Sequence, residues 1–462
     1  MRVDLGPMMN PKSVAVIGAS RDPNKVGHII LQNYIDNGFS GELYPVNKNI
    51  APGEKIIGLT AYRSVLEIKK NIDLAVIAVP APIVPSVLEE CGKAKVKTAV
   101  VISGGFAEVG NVELQDKIVE IAKKYNIAML GPNCLGIMDP LSKVDTLFLP
   151  TYKLSRPRVG GVSFVTQSGA VGSTILDLIA KEGFGLSKFI SYGNAAYVDE
   201  VDLLEYLLHD KQTKVIVMYI EGVKRGKELI EIAKKVTKVK PVIVLKAGIT
   251  EEGAKAAHSH TASLAGNNEA YDALFKQFGF IKAKDLSELL DFAKIFSSEN
   301  LPHGDRVAII TNGGGTGVLA TDAIYLNGLR LAEFSEETNK ELRKVMPDIV
   351  NIRNPLDLAG DADEKRYSDA LSILSKDPNI DMFIVIALFQ TPGADSPVAE
   401  KLIYFKKNIE KPMIVVTTGS DFTQTHKIMM ESSGLPVYDS PMAAASALAE
   451  LYKYWKYKNK ML

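Results

Sequence analysis

The chain has 462 residues, 46% of them hydrophobic and 23% charged, with Lys+Arg and Asp+Glu equal at 54 each. That length predicts roughly two to four domains, and the balanced charge excludes both a nucleic-acid footprint and an acidic tail. Two cysteines, Cys91 and Cys134, exclude a disulfide framework, MRVDLGPMMNPKS lacks a signal-peptide core, and no apolar run approaches the ~20 residues that cross a bilayer. The expectation is a cytoplasmic globular protein with small-molecule or protein partners, no nucleic acid and no membrane.

From the N-terminus, the first predicted elements are a buried strand, SVAVI, a Gly18-Ala19-Ser20 turn and a helix. Such a turn points unpaired N–H groups at a bound anion, usually a phosphate; a tight turn with no ligand is the alternative. The dinucleotide fingerprint is absent. After Gly18 the next glycine is Gly27, and the second strand, ELYPVN, ends in Asn47-Lys48 where a ribose-binding carboxylate would stand. With Lys25 before the helix and Lys48 after the second strand, coenzyme A suits the turn better than NAD. Val79 and Pro80 of VPAP (79–82), Ser103 and Gly104 of SGGF (103–106), and Asn133 of GPNCLG (131–136) follow later strands. They fall at the carboxyl ends, where a doubly wound sheet places its crevice. Cys134 reads as a buried spectator thiol, with no histidine near it in sequence.

After a Pro-rich joint, FLPTYKLSRPR (148–158), the same grammar returns. TQSGAVG (166–172) turns a strand into a helix. The Ser168 hydroxyl and the N–H groups of Gly169 and Ala170 form a neutral anion cradle, with Gln167 beside them in the phosphate-binding set. SYGNAAYVDE (191–200) repeats the device, with Gly193-Asn194 as the turn and Asp199 or Glu200 opening a helix. The strand VIVMYI then ends in Glu221, either a solvated loop glutamate or a buried carboxylate that needs a partner. PVIVLKAG leads into GAKAAHSHTASLAG (253–266), which carries two of the chain's six histidines, His258 and His260. With no carboxylate between them and no cysteine near, a metal site is not expected. A neutral imidazole held by a carboxylate can attack phosphorus and carry a phosphoryl group; the alternative is a polar surface loop.

A second joint, SENLPHGD (298–305), precedes RVAIITNGGGTG, which has no P-loop lysine; its turn either binds an anion or serves assembly, and assembly is favoured. The predicted fold is α/β. It comprises three doubly wound, Rossmann/flavodoxin-like parallel-sheet domains over 1–150, 151–298 and 299–462.

GASRDPNKVGHIILQN, VPAP, GPNCLG, TQSGAVG, YIEG and SHTASLAG occur in an order that resembles the nucleoside-diphosphate-forming acyl-CoA synthetases, relatives of succinyl-CoA synthetase. The likeness extends to TNGGGTG (311–317) and NPLDL (354–358), and so along the whole chain. It implies that the first domain binds coenzyme A, that His260 is phosphorylated and Glu221 orients it, and that the helix from Ser168 receives phosphate. His258 is then a structural residue. No ATP-grasp segment is recognisable, so the chain resembles the alpha subunit of the ADP-forming acetyl-CoA synthetases. The implied partner is an ATP-grasp beta subunit holding ADP/ATP and Mg²⁺, in an α2β2 heterotetramer. The implied reaction is the reversible conversion of acyl-CoA, ADP and phosphate to free acid, ATP and CoA; a CoA-binding regulatory subunit without phosphoryl transfer is the alternative. Leu135, Ala195 and Tyr197 suggest a small apolar acyl group. No arginine stands beside them for a second carboxylate.

Overall fold

In the computed structural model, which describes residues 3–182, 184–255 and 268–460, the β-branched runs become strands buried without alternation. Every residue of Ser13–Ile17, Leu74–Ile77 and Thr98–Val101 is buried. Burial of that kind needs helices on both faces of a parallel sheet.

The first sheet contains β1 (Ser13–Ile17) and β2 (Glu42–Val46). A small hairpin of β3 (Lys55–Ile56) and β4 (Leu59–Thr60) stands apart, and β5 (Leu74–Ile77), β6 (Thr98–Val101) and β7 (Ala128–Leu130) complete the sheet. Its order is β2-β1-β5-β6-β7 and all its pairings are parallel. The chain leaves β1 toward β2 and returns to the other side as β5, so the crevice of a doubly wound sheet opens at the carboxyl ends of β1 and β5.

The second sheet contains β8 (Gly136–Asp139), β9 (Val144–Asp145), β10 (Val159–Thr166), β11 (Leu186–Ser191), β12 (Val215–Ile220), β13 (Val242–Lys246) and β14 (Ile281–Lys282), in the order β14-β13-β12-β10-β11-β8-β9. β10 lies between β11 and β12, parallel to both, which makes it the reversal point of this sheet. β8 and β9 add an antiparallel edge, although they fall within residues 1–150. Asp139 on β8 anchors that edge, with an oxygen 3.0 Å from Nζ of the buried Lys188 on β11.

The third sheet contains β15 (Arg306–Thr311), β16 (Arg330–Leu331), β17 (Leu356–Asp357), β18 (Met382–Ile386), β19 (Met413–Val416) and β20 (Val437–Tyr438). Its order is β16-β15-β18-β19-β20, with β17 also paired to β15. The chain forms two compact units. Met1–Lys181 with Gly185–Lys282 holds the first two sheets, and Glu182–Phe184 with Ala283–Leu462 holds the third. The architecture is α/β, built on Rossmann/flavodoxin-like parallel sheets. Among the described residues no helix is long and apolar enough to cross a membrane.

Candidate functional site

Apart from Lys25, the residue before the Val26–Asp36 helix, each sequence-predicted residue of the first sheet lies just past the carboxyl end of a strand. Gly18, Ala19 and Ser20 follow β1, Lys48 follows β2, Val79 and Pro80 follow β5, Ser103 and Gly104 follow β6, and Asn133 follows β7. Gly18 has φ +99°, and a Cβ there would stand 2.2 Å from the Ala78 carbonyl oxygen, so only glycine lets β1 and β5 end this close together. A Cβ on Gly27 would meet the Gly18 carbonyl at 2.1 Å, which brings the start of the Val26–Asp36 helix against the same turn. Asn47 donates to the Ala19 carbonyl at 2.7 Å, and the Ser103 hydroxyl donates to the Val79 carbonyl at 2.5 Å. Lys25 and Lys48 are both exposed, as cations serving an anionic ligand must be. The crest offers glycine backbone, a helix start and two lysines, which fits a phosphate-rich ligand.

The second sheet builds its site at the ends of its three central strands. Ser168 caps the Gly169–Glu182 helix after β10: its Oγ accepts the Val171 N–H at 3.3 Å, and the Thr166 hydroxyl accepts the Ser168 N–H at 3.1 Å. The N–H groups of Gly169 and Ala170 have no acceptor among the described residues. Two unpaired donors at the positive end of a 14-residue helix have the geometry to hold an anion.

Glu221, directly after β12, is only 7% exposed. Its backbone is gripped by Gln167: the Gln167 Oε1 accepts the N–H groups of Glu221 and of Gly222, the latter at 3.1 Å, and its Nε2 donates to the Gly222 carbonyl at 2.9 Å. Gln167 thus holds the Glu221 turn. From β13, Lys246 donates to the Glu221 carbonyl at 2.9 Å; burial lowers its ammonium while the Glu221 charge raises it. His258 and His260 lie outside the described residues.

Asn194 behaves differently from its sequence reading. Its Nδ2 hydrogens go to Glu108 at 2.5 Å and Gln115 at 3.0 Å, its backbone N–H goes to the Pro132 carbonyl, and its Oδ1 accepts from Asn133 at 3.2 Å. No donor of Asn194 remains for phosphate, so the expected contact from this residue is at odds with the network. Gly193 has φ +53°, and a Cβ there would lie 2.2 Å from the Asn133 carbonyl. The turn therefore packs on the first sheet's GPNCLG loop.

Two participants, Glu108 and Arg225, escaped the sequence reading, and a third, Glu200, was read only as a helix opener. Glu108 joins the SGGF loop to Asn194. Arg225 pairs with Asp199 at 2.9 Å and Asp202 at 3.1 Å, locking the start of the Glu200–His209 helix. Glu200, 2% exposed, turns inward beside Tyr192, whose hydroxyl is pushed far up by burial, then by the Glu200, Asp199 and Glu221 charges. Only the alternation of acids in VDEVD hinted at this cluster. Cys134 is buried and its thiol is pushed up to about 12 by burial, which suits a spectator. In the other unit, the Gly314–Leu326 helix starts at Gly313 with no side-chain cap. Among the described residues no group of His, Cys, Asp or Glu could hold a metal ion.

Known proteins share this layout. Residues 12–140 match the CoA binding domain, 159–296 the succinyl-CoA ligase like flavodoxin domain and 307–448 the ligase-CoA domain. The chain is 42% identical to subunit alpha of acetate–CoA ligase (ADP-forming) I of Pyrococcus furiosus, over 99% of each. It is 44% identical to acetate–CoA ligase (ADP-forming) of Methanocaldococcus jannaschii over 96% of its own length, but spans only 62% of that longer relative. The solved dinucleotide-forming acetyl-coenzyme A synthetase 1 of Candidatus Korarchaeum cryptofilum, in complex with phosphate and ADP, superposes with a TM-score of 0.93 at 37% identity, covering 100% of this chain and 99% of that one. With this likeness over a whole relative and three domain families in chain order, the chain belongs to the family of ADP-forming acyl-CoA ligase alpha subunits.

Proposed function

We propose that the chain acts as the alpha subunit of an ADP-forming acyl-CoA ligase, converting acyl-CoA, ADP and phosphate reversibly to free acid, ATP and CoA. The observation that carries this reading is the meeting, in one compact unit, of a phosphate-ready helix start at Ser168 and a buried Glu221 held by Gln167. The glycine-lined crest of the first sheet, in the same unit, is the place for CoA.

In this reading a phosphate oxygen attacks the thioester carbonyl, the carbon–sulfur bond breaks, and CoA leaves as the thiol after taking a proton. The donors of Gly169 and Ala170 hold the charge on the phosphoryl group of the resulting acyl phosphate. His260 then attacks phosphorus, the acid leaves as its carboxylate, and Glu221 steadies the imidazole through its other nitrogen. An ATP-grasp beta subunit with Mg²⁺ passes the phosphoryl group to ADP, in an α2β2 assembly in the cytoplasm. Leu135, Ala195 and Tyr197 favour a small apolar acid. That relatives are named acetate–CoA ligase, 4-hydroxybutyrate–CoA ligase and trans-feruloyl-CoA synthase supports the acyl pocket as the feature that varies.

The test is labelled-phosphate transfer with the reconstituted enzyme and a panel of acyl-CoA esters. Base-stable, acid-labile label on this chain, absent from His260→Asn, is the expected result, and the ester that drives it best names the substrate. A chain that binds CoA and its partner yet never takes label is a regulatory CoA-binding subunit instead.

A further inference from the structure

One carboxylate ties the first sheet's SGGF loop to the second sheet's YGNAA turn. Glu108 accepts the Gly105 N–H at 2.5 Å and the Phe106 N–H at 3.1 Å on Oε1, and the Asn194 amide at 2.5 Å on Oε2. Burial raises this carboxyl, but the hydrogen bonds from Asn194, Gly105 and Phe106 outweigh it and hold the group below the ordinary glutamate range, so it is ionised. A charge-assisted bridge between partly buried groups is strong and directional.

The bridge is continued by hydrogen bonds on both sides. Toward the CoA crest, the Asn133 N–H donates to the Ser103 carbonyl at 2.9 Å, and Ser103 donates on to Val79. A Cβ on Gly104 would stand 3.1 Å from Asn133 Oδ1 and 3.3 Å from Glu108 Oε1. Toward the phosphate side, Lys224 Nζ donates to the Asn194 and Ala195 carbonyls at 3.3 and 3.4 Å, three residues past Glu221. A continuous run of hydrogen bonds therefore joins the loops that follow β5, β6 and β7 to those that follow β11 and β12.

We propose that Glu108 is a positioning residue that couples CoA to phosphate. A ligand that orders the 103–106 loop fixes the Glu108 carboxylate, and through Asn194 it fixes the 193–195 turn beside the phosphate-binding helix. Phosphate then binds with less left to order, and by linkage CoA binds more tightly when phosphate is present. This inference rests on the proposed function, which places both ligands in this unit.

The charge pattern of the bridge can be inverted. Glu108→Gln keeps Oε1 for the two loop N–H groups but sets its amide hydrogens against those of Asn194. Asn194→Asp sets two carboxylates face to face. In the double variant the glutamine donates to the aspartate and a bridge of opposite polarity returns. Calorimetric Kd values for CoA, with and without saturating inorganic phosphate, would be taken on the full chain of all four proteins. The wild-type affinity should tighten about 10-fold with phosphate. Both single variants should lose that factor, with the CoA affinity of E108Q alone within about threefold of wild type, and the double variant should regain most of it. A coupling factor that is absent from wild type, unchanged in E108Q, or lost in both singles and not regained in the double overturns the proposal. If wild type fails to bind CoA at all, the functional reading falls first and this inference with it.

Discussion

At the scale of single residues, two carboxyls, Glu108 at the first sheet's crest and Glu200 at the second's, are driven in opposite directions by what surrounds them. Glu108 is held ionised by several donors, whereas one oxygen of Glu200, its Oε1, is buried with no hydrogen-bond partner among the described residues. Burial, then the Asp199 charge, push Glu200 up to about 7, against its own backbone N–H, Lys224 and Arg225, which pull it down; Tyr192 and Tyr271 face it without compensating charge. Between its ordinary value of 4.5 and about 7, folded Glu200 keeps a proton that the unfolded chain has released. Folding then takes up a proton, so stability falls as pH rises through that window, and the loss is complete above the folded value. The isosteric Glu200→Gln cannot ionise. It should match wild type near pH 4.5 and exceed it by up to roughly 3 kcal/mol at pH 8.5, in urea denaturation at the two pH values. A difference that does not change with pH would show that Glu200 is not titrating there.

At the scale of elements, the fold role of the Gly169–Glu182 helix and its proposed role in phosphate binding can be separated by one substitution. A carboxylate near a helix start favours the helix by about 0.3–1 kcal/mol but occupies the place of an incoming anion. Ala170 is exposed, so an aspartate fits there without repacking. Ala170→Asp should leave thermal stability unchanged or slightly raised while weakening phosphate at least tenfold in steady-state kinetics, with the KM for acyl-CoA little changed. Undiminished use of phosphate would remove this helix from the site. The turn was legible in TQSGAVG because its signal is local, a strand running into small residues and a helix. The strands were legible for the same reason, as unbroken runs such as VIVMYI. The β8–β9 edge was not: GIMD and VD are too short to show a period, and Lys188, the buried counterion of Asp139, sits in LSKFIS, a strand of mixed character. The Asn194–Glu108 bridge was hidden by distance, since it joins residues 86 apart and Glu108 in FAEVG looks like a solvated charge. Asp199 and Glu200 were read as interchangeable helix openers. Asp199 is the cap and accepts the Val201 N–H at 3.0 Å, which leaves Glu200 to face inward.

At the scale of the whole molecule, the two compact units imply two stability domains, because the first two sheets and their buried clusters fall in one unit and the third sheet and its buried cluster in the other. The third sheet is pinned by charge as well as by packing: Lys294, 5% exposed, reaches Glu431 at 2.9 Å and the Val437 carbonyl at 2.9 Å. Ligand binding adds stability only to the cooperative block whose opening destroys the site. CoA at a hundred times its Kd contributes about 2.7 kcal/mol, which corresponds to about 100-fold slower amide exchange in segments that exchange by opening that block. With the CoA crest on the first sheet, exchange should slow by that order in β1, β5 and β6 and stay within about twofold in β15, β18 and β19. Native-state exchange read by mass spectrometry resolves these segments without requiring reversible unfolding of the chain. Slowing of equal size in the third sheet would mean that the units open together, so that CoA held by the first sheet is felt as stability at TNGGGTG. That outcome would make the third domain a participant in ligand binding and count against a purely assembly role.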